Sequence, residues 1–177
     1  GERERRLWRL DTLGGKLYVL ILSEEKPQLV AAVREYGKPA EGFLTKDYKP
    51  LLARITAQSQ WRFRLVANPT QSQSRASTGK RGVIKACVGV AQQEDWLAKR
   101  AEAHGFMLEK DGFRAVGNNW DIFHKQEDKE KRVALREVSY EGVLTVTDVA
   151  KFKELLCRGM GRRKAYGMGL LTIMRLP

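Results

Sequence analysis

Hydrophobic and polar positions along the chain change period several times, and each change predicts an element. Leu7 to Leu13 and Lys16 to Leu22 are two β-rich runs around Gly14-Gly15, a two-residue hairpin signal. Gln28 to Tyr36 reads as a short helix, with Pro27 suited to a first turn and Gly37 to a stop. Gly42 to Ile55 shows no clear period and is read as irregular. Trp61-Arg62-Phe63-Arg64-Leu65 alternates cleanly, which puts Trp61, Phe63 and Leu65 on one face of a strand and both arginines on the other. Asn68-Pro69 stops that strand, and Thr70 to Lys85, rich in Ser, Gln, Gly and base, reads as a loop or hairpin arm.

Glu94 to His104 is predicted as a helix, with Trp96, Leu97 and Arg100 at helical spacing and Gly105 as its C-cap. Phe113 to Phe123 and Arg132 to Thr147 read as strands, the second containing the strongly β-forming run Val143 to Val146. Thr147 or Asp148 caps a helix from Val149 to about Arg158. A glycine-rich loop follows, and Leu170 to Met174 forms a last strand. From residue 58 the order is therefore βαββαβ, the ferredoxin-like arrangement also used by RNA-recognition modules. Residues 1–57 offer ββα, the later part of the same unit without its opening strand and helix. The expected class is α+β, with two tandem ferredoxin-like (RRM-like) domains: 1–57 as the remainder of the N-terminal one, 58–177 as the C-terminal one.

Composition narrows the function. A 42% hydrophobic content is enough for a real core, which excludes wholesale disorder. The longest apolar run, Leu17 to Leu22, is far short of the roughly 20 residues that span a bilayer. The charged opening Gly1-Glu2-Arg3-Glu4-Arg5-Arg6 is no signal peptide, and Cys87 and Cys157 make no disulfide scaffold, so a cytoplasmic location is expected.

The formal charge is +12, from 33 basic and 21 acidic residues, and it is segregated. Between Tyr48 and Gln93 no acid occurs, but Lys49, Arg54, Arg62, Arg64, Arg75, Lys80, Arg81 and Lys85 do. After Glu154 the chain is again acid-free and carries Arg158, Arg162, Arg163, Lys164 and Arg175. The rest of the chain is close to neutral, so the excess sits in two stretches. Charge segregated in this way favours a polyanion, because each neutralised phosphate releases condensed counterions. A basic helix lying on a membrane fits less well, since these stretches hold Gly, Pro and strand-like alternation. No membrane partner is expected.

The sharpest local signal is the run Arg158-Gly159-Met160-Gly161-Arg162-Arg163-Lys164-Ala165-Tyr166-Gly167-Met168-Gly169. Two Gly-x-Gly pairs flank a basic, aromatic-containing linker between a helix and a strand. Glycines there permit positive φ and close approach to a phosphate, arginines bind phosphate bidentately, and a tyrosine can stack on a base. The pattern is neither a dinucleotide fingerprint, which leaves a strand and opens a helix, nor a Walker loop, as GxxxxGK[ST] is absent.

The G-x-G-x5-G-x-G spacing of Gly159, Gly161, Gly167 and Gly169 resembles the C-terminal glycine-rich loop of CRISPR-associated RAMP proteins. The longer string GMGRRKAYGMGLLTI is similar to the end of the CasE branch, the precursor-crRNA endoribonucleases of type I-E systems. Phe63 to Pro69 resembles that branch's FRLxANP strand, and Glu141 to Asp148 its EGVLTVTD strand and helix start, so the likeness spans about Trp61 to Leu176. It implies tandem ferredoxin-like domains and binding of the CRISPR repeat RNA, later the crRNA 3′ stem-loop. It further implies metal-independent cleavage by 2′-OH attack, and retention of the product beside the other protein subunits of Cascade. No cofactor and no metal are expected. The family carries its catalytic histidine on the first helix of the N-terminal domain; that helix is expected upstream of Gly1, so this chain should bind RNA better than it cuts it.

On this reading Arg75, Lys80, Arg81 and Lys85 of the arm grip the stem, and Arg62 and Arg64 stand on the open sheet face. Arg158, Gly159, Gly161, Arg162, Arg163, Lys164, Tyr166, Gly167 and Gly169 hold the stem's base, with Lys164 in a supporting catalytic role. A non-catalytic RNA-binding subunit sharing the loop is the alternative. His104 reads as a helix C-cap, where a cation suits the helix dipole, and His124 as a surface residue. Glu24-Glu25 and Glu127-Asp128 read as solvated faces, the four tryptophans as core or sheet residues, and both cysteines as packed in apolar surroundings.

Overall fold

Local chemistry sets the first element. Strands β1 (Leu7–Leu13) and β2 (Lys16–Leu22) pair antiparallel with Leu13 opposite Lys16. Their turn residues Gly14 and Gly15 have φ of 57° and 76°, the doubly left-handed combination whose twist matches the flanking strands. A computed structural model describes residues 6–37, 42–73, 83–125 and 128–177. Helix α1 (Val30–Tyr36) starts two residues later than the pattern predicts, with no side-chain cap to mark the start. The stretch read as irregular contains helix α2 (Lys49–Ala53), with Pro50 in its first turn, where a missing N–H is tolerated. Five residues are too few for a helical period to show.

The remaining elements are β3 (Gln60–Ala67), β4 (Thr70–Gln73), β5 (Val83–Ala86), α3 (Val90–Ala101), β6 (Phe106–Met107), β7 (Phe113–Lys125), β8 (Asp128–Val146), α4 (Val149–Arg158) and β9 (Leu171–Arg175). β4 and β5 pair antiparallel, so the predicted arm is a hairpin at its base. In the main sheet β3 lies between β8 and β9, antiparallel to both, and β8 also pairs with β7 and β6. The order β7-β8-β3-β9, with α3 and α4 as crossovers, is the ferredoxin-like arrangement. Strand β6 is two residues long and leaves no trace in the sequence pattern. Helix α3 begins at Val90 rather than Glu94, and its N-cap Gly89 carries no capping side chain that would mark the start in the sequence. Asp148 caps α4 by accepting from the Lys151 N–H at 3.1 Å.

The core forms where both helices meet one face of the sheet. Trp61, Phe63 and Leu65 of β3 pack with Trp96 and Leu97 of α3 and with Phe152, Leu155 and Leu156 of α4. Burying each of these leucines contributes about 2 kcal/mol relative to exposure. Buried positions 93, 96, 97 and 101 on α3, and 152, 155 and 156 on α4, follow the helical period. This packing fixes both ends of the glycine-rich loop that joins α4 to β9.

Candidate nucleic-acid interface

The loop is tied at its base by backbone hydrogen bonds. The Gly159 N–H donates to Leu155 O at 2.7 Å, closing α4. The chain then doubles back: Met160 N–H donates to Gly169 O at 2.9 Å, and Gly169 N–H to Val66 O of β3 at 2.7 Å. Met160 and Met168 are fully buried beneath this junction. Gly169 has φ of 89°, and a Cβ there would stand 2.5 Å from Met160 O, so only glycine fits.

Residues 161–167 project from that junction with the Cα atoms of Gly161 and Gly167 set against Trp96 and Trp8 and with Arg162 and Arg163 exposed. A Cβ on Gly159 would meet Leu7 Cδ2 at 2.9 Å, one on Gly167 would meet Trp8 Cζ3 at 2.8 Å, and one on Gly161 would meet Trp96 Cη2 at 3.3 Å. The glycines thus let β1 and α3 pack tightly against the loop. Gly159, Gly167 and Gly169 donate their N–H groups within the protein, to Leu155 O, Lys164 O and Val66 O. Arg158, Arg162 and Arg163 are exposed, and Tyr166 is 37% exposed at the rim. Lys164 is half-buried, its Nζ donating to Arg158 O at 2.7 Å. Arg158 Nη1 lies 3.5 Å from Glu154 Oε1. Among the described residues, Arg162 and Arg163 have no carboxylate at ion-pair distance.

The sheet face that carries Arg62 and Arg64 is not open along its whole length. Arg62 is exposed, and Arg64 is half-buried beside β1, its side chain 37% exposed and its Nε 3.7 Å from both Asp11 Oδ1 and Glu141 Oε1. Arg9, 3% exposed, forms a bidentate pair with Asp11 at 2.8 and 2.9 Å. It also donates to Arg64 O, Leu170 O and Thr172 Oγ1, which fastens β1 across β3 and β9. Sequence reasoning missed this network, since its members lie as much as 163 residues apart. Lys85 is exposed on β5, opposite Gln71, while Arg75, Lys80 and Arg81 lie outside the described residues.

The histidines and other flagged residues divide. The cap after the Glu102–His104 turn is Gly105, with φ of 77°, and His104 is half-buried. Burial, then the Lys164 and Arg100 charges, lower its pKa against an opposing Glu154, so the expectation of a dipole-stabilised cation there is corrected. The His124 side chain lies outside the described residues. Trp61 and Trp96 are core; Trp120, half exposed, is a sheet residue with the Arg136 guanidinium 4.8 Å from its ring centroid. Cys87 is buried as expected, but Cys157 is exposed on the outer face of α4.

Known proteins share this arrangement. The sequence model of a family described as CRISPR associated protein matches residues 1–175. The CRISPR-associated endoribonuclease Cse3 of Thermus thermophilus is 34% identical over 178 residues, covering 97% of this chain and 80% of the relative. The structure of Thermus thermophilus Cse3 bound to an RNA representing a pre-cleavage complex superposes with a TM-score of 0.73 at 30% identity, covering 98% of this chain and 79% of the other. A chain of a CRISPR RNA-guided surveillance complex matches with a TM-score of 0.68 at 24% identity, over 97% of this chain and 77% of that one, a likeness of fold. With the glycine spacing, the βαββαβ order and the family match all in agreement, this chain belongs to the CRISPR-associated protein family.

Proposed function

We propose that the chain binds the stem-loop of CRISPR repeat RNA and acts as an endoribonuclease on precursor crRNA. It then stays on the 3′ stem-loop of the product beside other protein subunits of a Cascade-type assembly in the cytoplasm. The observation that carries this reading is the loop itself: glycines pack inward against Leu7, Trp8 and Trp96, and Arg162 and Arg163 face solvent without a carboxylate partner among the described residues. Arg62, Lys85, Arg158, Lys164 and Tyr166 extend that surface, and the expected grip of Arg75, Lys80 and Arg81 on the stem is part of the proposal. Arg64, half-buried between Asp11 and Glu141, stands at the edge of that surface. Residues 1–57 form the N-terminal unit and 58–177 the C-terminal one.

In the reaction a ribose 2′-oxygen attacks the adjacent phosphorus in line. The P–O5′ bond breaks, leaving a 2′,3′-cyclic phosphate and a 5′-OH. A general base takes the 2′-OH proton, and the departing O5′ gains one. Cations placed against the equatorial oxygens stabilise the phosphorane, and Lys164, held next to Arg158, is the residue of this loop assigned to that task. The test is incubation of the full-length protein with its repeat RNA, with and without EDTA. Cleavage at the 3′ base of the stem, with a cyclic phosphate end, is expected; loss of cleavage on chelation overturns the 2′-OH mechanism. Equal affinity for the stem-loop and for unstructured RNA overturns the stem-loop reading.

A further inference from the structure

The arm and the long hairpin of β7 and β8 meet at Val88, just before α3. Cys87 N–H donates to Pro69 O at 2.9 Å, which closes the base of the arm. One residue on, Val88 O accepts from Arg136 Nη2 of β8 at 3.3 Å and from Gln93 Nε2 of α3 at 3.2 Å. Trp120 of β7 stands directly opposite Arg136 in the ladder. The Arg136 guanidinium carbon lies 4.8 Å from the centroid of its ring.

The two residues differ in exposure. Arg136 is 9% exposed, its Nε is buried without a hydrogen-bond partner, and among the described residues no carboxylate lies at ion-pair distance from it. Cation–π attraction strengthens as water is removed, so the ring is the main partner of this guanidinium. Trp120 is 50% exposed, against 3% for Trp61 and 2% for Trp96. One face of its indole is held by a buried cation while half of the residue stays open to solvent.

Register sets the charge around it. The pairs Trp120–Arg136, Ile122–Ala134 and His124–Arg132 alternate along the hairpin with Asn119–Glu137, Asp121–Leu135 and Phe123–Val133. With a side-chain period of two, the first set of positions holds Arg132, His124 and no acid, and Asp121 and Glu137 fall in the second. An aromatic plate backed by a cation and framed by basic positions fits a nucleotide better than an apolar protein surface. The base offers a π-face to the ring, and its phosphodiester brings negative charge. Bases within a stem already stack on one another, so only an unpaired one is free to take the plate.

We propose that Trp120 is a stacking platform for one unpaired base of the RNA, at the base of the arm, with Arg136 as the positioning residue behind it. The inference rests on the RNA-binding reading and extends it from the stem to a single-stranded nucleotide beside it.

The test measures, by fluorescence anisotropy, the affinity of the full chain, Trp120→Leu, Trp120→Phe and Arg136→Met for labelled repeat RNA carrying its single-stranded flanks. A parallel set of RNAs replaces each unpaired nucleotide in turn by an abasic one. Trp120→Leu is expected to lose about tenfold on intact RNA, the scale of one stacked base. Its salt slope should stay unchanged, because no phosphate contact is removed. At one unpaired position the abasic RNA should bind the full chain about tenfold more weakly, and Trp120→Leu no more weakly than intact RNA does. Trp120→Phe keeps a ring and should lose less. Arg136→Met should bind intact RNA more weakly than the full chain and that abasic RNA equally well; an equal loss on both RNAs refutes the positioning role. Losses that multiply at every unpaired position overturn the platform. Should Trp120→Leu fail to fold, Trp120→Phe takes its place in the cycle, and multiplying losses overturn the proposal there too. Salt-dependent binding by the full chain that Trp120→Leu matches removes the platform, assigns Trp120 to a protein contact and leaves the RNA reading standing. Absence of salt-dependent RNA binding by the full chain removes both.

Discussion

Replacing Gly169 with alanine tests whether the loop is built from its inward side. At φ of 89° an alanine pays the left-handed penalty, about 1 to 2 kcal/mol. Its Cβ would also stand 2.5 Å from Met160 O and 3.2 Å from Lys164 Cγ. Backbone cannot swing aside as a side chain does, so relief must stretch the Met160–Gly169 and Gly169–Val66 hydrogen bonds, 2.9 and 2.7 Å long. Each is worth about 1 kcal/mol, which brings the total to about 3 kcal/mol. Gly14 supplies the control: its φ is 57°, but nothing lies within 4 Å of a Cβ there. Gly14→Ala should therefore cost about 1 kcal/mol, the backbone penalty alone. Urea unfolding of both variants, compared at equal m, should separate them by about 2 kcal/mol. If Gly169→Ala proves no more destabilising than Gly14→Ala, the loop is not braced as described.

Three further outcomes follow from other parts of the molecule. Asp11→Ala leaves Arg9 buried without its counter-charge and should destabilise by about 3 kcal/mol in thermal unfolding; a loss under about 1 kcal/mol would contradict the role of the pair. The His104 pKa in the folded protein lies below its ordinary 6.5, so the unfolded chain takes up that proton first as pH falls. The contribution of His104 is thus complete above about pH 6.5 and is lost as pH falls below it; His104→Gln should decline less steeply on acidification, and superimposable profiles would refute this. Arg163→Ala should weaken RNA binding at low salt more than at high salt, as a lost phosphate contact requires, and an equal loss at every salt would count against it.

Much of this fold is legible where chemistry is local. Gly14-Gly15 forces its own turn, and Trp61, Phe63 and Leu65 announce a buried strand face by strict alternation. The glycine-rich loop stands out because glycines and cations crowd between Arg158 and Gly169 more densely than a helix cap alone requires. What stays hidden depends on distance or brevity. Nothing near Arg64 predicts that Asp11 will stand beside it, since β1 and β3 meet only after the sheet forms. Helix α2 and strand β6 are too short to show a period, and α3 begins at a Gly89 that offers no cap. A charge on His104 is compatible with its neighbours in sequence, whereas Lys164 and Arg100 oppose it in space.

Whether the exposed Arg162 and Arg163 meet a nucleic-acid backbone decides the function of this loop. Its most direct test is the salt dependence of stem-loop binding by Arg162→Ala/Arg163→Ala beside the parent chain. Two lost phosphate contacts should reduce the slope by about 1.4 to 1.8, with weaker binding at every salt concentration. An unchanged slope would show that the loop faces solvent for some other purpose.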